Sequence, residues 1–474
     1  MSAKNIDFGM VGLGVMGKNL LLNIAGNGYS VIGLDTDPEK TTAFESEDSV
    51  ETLHATTSAV RFISDLKKPR TIMILVPAGA AVDSVIDQLL PYLEKGDLIM
   101  DGGNSFFPDT DRRYDALSEK GIHYLGVGIS GGEEGARYGP SMMPGGSREG
   151  YQMIRPILES AAAKVNGEPC VTFVGNRSAG NYVKMVHNGI EYALMQLIAE
   201  AYHFMKSVVK LSDNVIRQIF ENWNDGPLNS FLMEITADIF ARTDEDGSTL
   251  ILNHILDSAR QKGTGKWTSQ NAMDLQIPTP TLDMAVMVRN ISGNKEERMA
   301  AEAVFSHQSN TIEIDSEKFI PKLRNAIHFS FIIAFAQGFS LISKASAEYE
   351  YDINLAEIAK IWRGGCIIRA EMLEDFRRVL TENPSIANMV LNAEISQQLI
   401  SFHNDARDCI SAGIKAQVPL PALSASVSYF DLYKSGWLPV NLIQAQRDYF
   451  GAHTYERIDK EGTFHTDWKS AKNE

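Results

Sequence analysis

Ile6-Asp7-Phe8-Gly9-Met10-Val11-Gly12-Leu13-Gly14-Val15-Met16-Gly17 is the stretch on which the fold turns: an apolar run that breaks on three glycines spaced G-x-G-x-x-G. Ile6 to Leu13 has the length and branching of a short buried strand. Asn19 to Ala25 follows as an apolar helix, and Ser30 to Leu34 as a second strand ending in an acid, Asp35. In such a βαβ unit each glycine has a mechanical role. The first allows the tight turn, the second lets a pyrophosphate approach the backbone, and the third brings helix against strand, leaving free amides at the helix N-terminus to hold an anion. Gly12, Leu13, Gly14, Val15, Met16 and Gly17 therefore read as a dinucleotide-binding loop. Asp35 is placed to accept hydrogen bonds from the adenosine ribose and to repel the additional phosphate of NADP, so NAD is the expected cofactor, with NADP the alternative. Asp37-Pro38-Glu39 reads instead as a helix cap with proline in the first turn.

Working outward, apolar runs at Thr71 to Val76, Leu98 to Asp101 and His123 to Ser130 alternate with amphipathic segments, the rhythm of a doubly wound parallel sheet. From Ser178 the 3.6-residue period takes over, in Asn181 to Lys206, Arg324 to Tyr349 and Leu355 to Arg363, and strand signals nearly vanish. After Ser435 the periodicity is lost, and Asp459 to Glu474 is a polar stretch. The expected fold is an α/β N-terminal Rossmann-type doubly wound sheet (1–177), a large all-α domain for substrate and dimerisation (178–434), and a C-terminal tail (435–474) lying on another surface.

The 474 residues, 44% hydrophobic and 22% charged, suit an ordinary multidomain enzyme. A net charge of −16 argues against a nucleic-acid partner, since phosphate backbones are bound by basic surfaces. An anionic substrate would need a local basic island. Cys170, Cys366 and Cys409 are odd in number and far apart, which predicts buried free thiols and no metal site. No run is read as the eighteen or more apolar residues of a membrane span, and no signal peptide precedes the first strand; the expected location is cytoplasmic.

Lys184, His187, Asn188, Glu191 and Tyr192 fall at offsets of 0, 3, 4, 7 and 8 and share one helical face. A solvated face is the simplest account of a polar stripe. This one mixes proton donors and acceptors instead of repeating Glu-Lys pairs, and it opens the helical region directly after the cofactor domain, where sites tend to lie.

Five motifs in order, Gly12 to Gly17, Asp101-Gly102-Gly103-Asn104-Ser105, Ser130-Gly131-Gly132-Glu133-Glu134-Gly135-Ala136, Lys184 to Tyr192 and Gln261-Lys262-Gly263-Thr264-Gly265-Lys266-Trp267, closely resemble the decarboxylating 6-phosphogluconate dehydrogenase family. Trp362-Arg363-Gly364-Gly365-Cys366-Ile367-Ile368-Arg369 and Gln446-Arg447-Asp448-Tyr449-Phe450-Gly451-Ala452-His453 carry the likeness into the tail. The resemblance implies a homodimer whose tails contribute Arg447 and His453 to the partner's site. It implies that Lys262, Thr264, Arg289, Tyr192 and Arg447 hold the substrate phosphate, the basic island required above. Ser130, Gly131 and Gly132 would bind near carboxylate and nicotinamide, Asn104, His187 and Asn188 would bind the sugar-acid hydroxyls, and Val76, Ala78 and Asn104 would line the cofactor. Lys184 becomes the base and Glu191 the acid, with no metal. Phe106 stands where the family often has histidine, Pro77 where many members have lysine and Arg260 where glycine is frequent. Asp35-Thr36-Asp37 replaces the Asn-Arg-Thr common in NADP-using relatives, so the arginine that would grip the 2′-phosphate is missing. Two rival readings are another β-hydroxyacid dehydrogenase acting on an unphosphorylated acid, and a catalytically silent cofactor-binding protein. The phosphate set and long tail weigh against the first, and intact Lys184 and Glu191 against the second.

Overall fold

In the computed structural model, which describes residues 5–47, 53–245, 247, 249–305 and 313–469, the chain forms two compact units, Met1–Ser426 and Val427–Glu474. The first begins with seven strands, β1 (Phe8–Val11), β2 (Val31–Leu34), β3 (Leu53–Thr56), β4 (Thr71–Ile74), β5 (Leu98–Asp101), β6 (His123–Ser130) and β7 (Ser141–Gly146). They lie side by side in the order β3, β2, β1, β4, β5, β6, β7. The first six are parallel, with Gly9 opposite both Ile32 and Ile72, which is the doubly wound order with its switch point beside β1. β7 runs antiparallel to β6, pairing Ser130 with Ser141. Two strands carry weak sequence signals: β3 has only four residues, two of them polar, and β7 is interrupted by Pro144 and two glycines, tolerable at an edge.

β1, β2, β4 and β5 are buried along their whole length, because helices cover both faces of the sheet. One core cluster gathers Phe8, Met10, Leu20, Leu21 and Met100 on one side, and another gathers Ile32, Phe62, Ile72, Ile74 and Ile99 on the other. Asp37 caps the helix Pro38–Ser46 by accepting the Glu39 amide at 2.9 Å, as its sequence context predicts.

Beyond the sheet the chain is helical. The helix Ala179–Ser207 packs on β6 and β7 and against the helices Thr264–Asp274, Pro280–Gly293 and Ser316–Glu348. Ser316–Glu348 corrects the expectation that nothing here is apolar enough for a membrane span: by length and composition it is, yet 83% of its most apolar window is buried. A helix enclosed by other helices can be hydrophobic all round, so composition alone does not separate it from a membrane span. Cys170, Cys366 and Cys409 are free and buried.

The second unit corrects the reading of an aperiodic tail. Val440–Gly451 is a helix, and Tyr455–Glu456 pairs antiparallel with Thr463–Phe464; residues 470–474 lie outside the described residues. Asp448, fully buried, organises this unit by accepting the Thr454 and Thr466 amides at 3.0 Å each, His465 Nδ1 at 2.8 Å and Trp468 Nε1 at 2.8 Å. A single carboxylate with four donors takes the place of an apolar stripe, which is why hydrophobic periodicity misses it.

Glu200, on the helix Ala179–Ser207, is a second buried carboxylate. It accepts the Ala422 and Leu423 amides at the start of Pro421–Tyr433, at 2.8 and 3.0 Å, and the Gln196 amide at 3.0 Å. Burial outweighs these bonds and lifts its carboxyl to about 7. A folded-state value above the unfolded one means that the folded state keeps a proton the unfolded chain releases; that stabilisation is whole below about 4.5 and is lost as pH rises through about 7. The stability difference between wild type and Glu200→Gln is therefore expected to change by about 2–3 kcal/mol between about pH 5 and pH 8, read from urea unfolding at the two values.

Candidate active site

The polar stripe does not face solvent. Lys184, His187, Asn188 and Tyr192 are buried and Glu191 is half-buried, within a helix whose opposite side, Met185, Val186 and Ile190, is buried too. His187 is the hub. Its Nε2 lies 3.2 Å from Ser130 Oγ at the end of β6, and its Nδ1 lies 3.3 Å from Lys184 Nζ, 3.1 Å from Asn188 Oδ1 and 3.8 Å from a Glu191 oxygen. Asn188 Nδ2 donates to Thr264 Oγ1 at 3.1 Å, joining the stripe to the next helix.

Close backbone approach sets this geometry. A Cβ on Gly180 would stand 2.0 Å from the Gly126 carbonyl oxygen and 2.3 Å from that of Met143, and one on Gly128 would stand 2.5 Å from Lys184 Cβ. The helix thus lies directly on β6 and β7, and Lys184 emerges over the strand end that carries Ser130. Asn181 Nδ2 donates to the Gly103 carbonyl at 3.1 Å, tying the same helix to the loop that presents exposed Asn104. Asp101, fully buried, shapes that loop by accepting the Gly103 amide at 3.0 Å and Ser105 Oγ at 2.6 Å.

Desolvation shifts each titratable group toward its neutral form. Burial pulls the Lys184 ammonium below the ordinary lysine range, against the opposing pull of Glu191. Burial raises the Glu191 carboxyl, against Lys184 and Arg289. His187 is driven well below the usual imidazole range by burial and then by the Lys184 charge. Arg289 lies over the Tyr192 ring at 3.6 Å and donates to the Arg260 carbonyl at 3.1 Å, so the side-chain departure at position 260 leaves a main-chain contact intact. Another altered position, Phe106, packs on Trp267 with ring centroids 4.8 Å apart.

At the sheet's switch point the glycine loop fits a dinucleotide. Gly12 adopts φ 99° and a Cβ there would stand 2.4 Å from the Leu75 carbonyl oxygen; a Cβ on Gly17 would stand 2.0 Å from that of Gly12. Around Gly14 there is open space, where a phosphate has to approach the backbone, and no side chain caps the amides of Val15–Gly26. Asp35 accepts the Leu13 amide at 2.8 Å and the Asp37 amide at 3.0 Å, and Lys40 Nζ stands 3.7 Å away. Val76 borders the loop, 3.1 Å from where a Gly12 Cβ would be, and Ala78 is exposed two residues on.

Family comparison covers both halves of this arrangement. Residues 7–175 match the NAD binding domain of 6-phosphogluconate dehydrogenase, and 180–468 match the C-terminal domain of 6-phosphogluconate dehydrogenase. The chain is 48% identical, over 98% of its length and 99% of the relative's, to the NADP(+)-dependent, decarboxylating 6-phosphogluconate dehydrogenase of Bacillus subtilis, and 49% identical, with the same coverage, to the decarboxylating enzyme of Escherichia coli K12. This chain belongs to the 6-phosphogluconate dehydrogenase family. The solved Plasmodium falciparum 6-phosphogluconate dehydrogenase superposes with a TM-score of 0.95 at 44% identity, covering 98% of this chain and all of that one.

Against the family pattern, Ser130, Lys184, His187, Asn188, Glu191, Tyr192, Thr264 and Arg289 are linked by the contacts described above. Gly131 and Gly132 follow Ser130 with φ of 120° and 63°, and exposed Lys262 precedes the Gly263 turn. Arg447 and His453 lie in the second unit, where Arg447 donates to Gln444 Oε1 at 3.1 Å and the His453 ring meets Phe450. Asn181 and Trp362 were not singled out by sequence reasoning, although Trp362 stands in a quoted motif; both act through contacts between segments far apart in the chain. Gly128→Ala is expected to push Lys184 out of place. It should lower stability by about 1–3 kcal/mol and reduce turnover beyond what the folded fraction accounts for, measured by thermal melts beside steady-state assays.

Proposed function

We propose that this chain oxidises 6-phospho-D-gluconate at its third carbon and decarboxylates the resulting β-keto acid to D-ribulose 5-phosphate and CO2. The supporting observation is a buried amine and a half-buried carboxyl on one helical face, both moved toward neutrality, beside Ser130 at the sheet's end. The bound nicotinamide supplies the hydride acceptor. Lys184, neutral at the start, takes the proton of the reacting hydroxyl; as the carboxylate carbon departs as CO2, the electron pair moves onto the ketone oxygen, and Lys184 returns the proton there. Glu191, kept protonated, delivers a proton to carbon of the enediol while Lys184 takes the proton from the enol oxygen, completing the ketose. Neutral His187, with Asn188 and Asn104, orients the sugar hydroxyls, and such positioning is a substantial part of the barrier reduction.

Lys262, Thr264, Tyr192 and Arg289 form this chain's share of the phosphate site, Arg447 from a second copy completes it, and that copy's His453 also serves the substrate, which makes the working unit a homodimer. NAD is the preferred cofactor: Asp35 offers a carboxylate where a 2′-phosphate would have to sit, and Thr36 supplies no cation. Three buried free thiols suit a reducing cytoplasmic setting.

The reaction is tested directly with 6-phosphogluconate and each cofactor, following reduced nicotinamide and released CO2; activity on gluconate but not on its 6-phosphate would overturn the phosphate site. Lys184→Ala is expected to leave cofactor binding intact and abolish turnover. The kcat/KM profile should fall at low pH as Lys184 becomes charged and at high pH as Glu191 ionises. Glu191→Gln should flatten the alkaline limb while lowering kcat by about 10²- to 10⁴-fold. Asp35→Asn with Thr36→Arg should shift the kcat/KM ratio toward NADP, and unchanged selectivity would remove Asp35 from cofactor choice.

A further inference from the structure

Trp362 closes the helix Leu355–Ile361 and is completely buried. Its indole meets the His187 imidazole with centroids 5.7 Å apart and planes at 75°, and Phe339 of the central helix at 5.5 Å on another side. The backbone around it is pinned from three directions. Ser141 Oγ donates to the Ile361 carbonyl at 2.8 Å, the Cys366 thiol donates to the Trp362 carbonyl at 3.1 Å, and Arg363 bonds Glu168 at 2.6 Å and also Glu374. The same segment reaches the other flank of His187, since the Ile367 amide donates to Ser130 Oγ at 3.4 Å and Ser130 Oγ contacts His187 Nε2. One group in this rigid wall has no partner: the Trp362 Nε1–H, buried, meets no acceptor among the described residues. Hydrogen bonding alone would favour phenylalanine there, because a buried donor without an acceptor is unfavourable.

We propose that Trp362 is a positioning residue for the reaction, its indole fixing the His187 ring in the orientation that presents Nδ1 to Lys184 and Nε2 to Ser130, and keeping water off that ring. The proposal rests on the reading of His187 as a substrate-orienting group. The charged or titratable groups facing His187 are Lys184 and Glu191 from its own helix, with the Cys366 thiol near Lys184 from the Trp362 segment. No cation other than Lys184 contacts the ring among the described residues, and the indole covers one side of it.

Two variants separate positioning from folding. Trp362→Phe removes the partnerless donor and is expected to melt at or above the wild-type temperature, yet turn over several-fold more slowly. Trp362→Leu is expected to lower kcat by about tenfold to a hundredfold, with KM for 6-phosphogluconate changed by less than about threefold. Histidine-labelled NMR, with the His187 signal identified by its loss in His187→Gln, supplies a readout independent of turnover: the ring should stay neutral across pH 5.5–7.5 in wild type and titrate in Trp362→Leu. A folded Trp362→Leu enzyme with wild-type kcat and an untitrating His187 overturns the proposal, as does a loss of activity that tracks melting temperature alone. If His187→Gln itself retains full turnover, the failure lies in the role given to His187, and that of Trp362 falls with it.

Discussion

The contact on which the site depends is the meeting of two backbones, where the helix Ala179–Ser207 rests on β6 and β7 with no side chain between. Gly180 lies against the carbonyls of Gly126 and Met143, and Gly128 against Lys184. Glycine is required because a Cβ would overlap main-chain carbonyls at position 180 and the Cβ of Lys184 at position 128, none of which can rotate away. The Lys184 amine is thereby held over the end of the strand that presents Ser130, and the neighbouring Asn181 amide is bonded to the loop that presents Asn104. Three segments far apart in the chain thus reach one point with little freedom left to lose, the condition under which positioning contributes to rate.

Burial then performs the electrostatic tuning. The same desolvation that lowers the amine raises the carboxyl, because in each case the neutral form is favoured in a poorly solvated site. Lys184 and Glu191 stand a helical turn on either side of His187, which burial also drives toward its neutral form. A lowered amine and a raised carboxyl thus have a single physical cause.

Two further buried carboxylates do structural work by accepting main-chain amides. Glu200 anchors the start of Pro421–Tyr433 to the helix that carries the stripe, and Asp448 folds the second unit around itself. Asp448 acts where apolar packing is not the organising force and so leaves no hydrophobic pattern to read, whereas Glu200 sits within an apolar helix-helix contact.

The sequence by itself determined the βαβ opening, the helical character after Ser178, the Asp37 cap and the shared face of Lys184, His187, Asn188, Glu191 and Tyr192, because each depends on local periodicity or on residues a few positions apart. Only the tertiary structure decided that this face is buried and not solvated, since the groups that cover it, Ser130, Thr264 and Trp362, lie tens to hundreds of residues away. It also decided that β7 turns antiparallel, that the apolar helix Ser316–Glu348 is a protein core, and that Val440–Gly451 and the residues to Trp468 fold around Asp448. Periodicity reports how a segment divides its faces; which neighbour meets each face, and so whether a lysine there keeps its charge, is set by contacts that no local pattern contains.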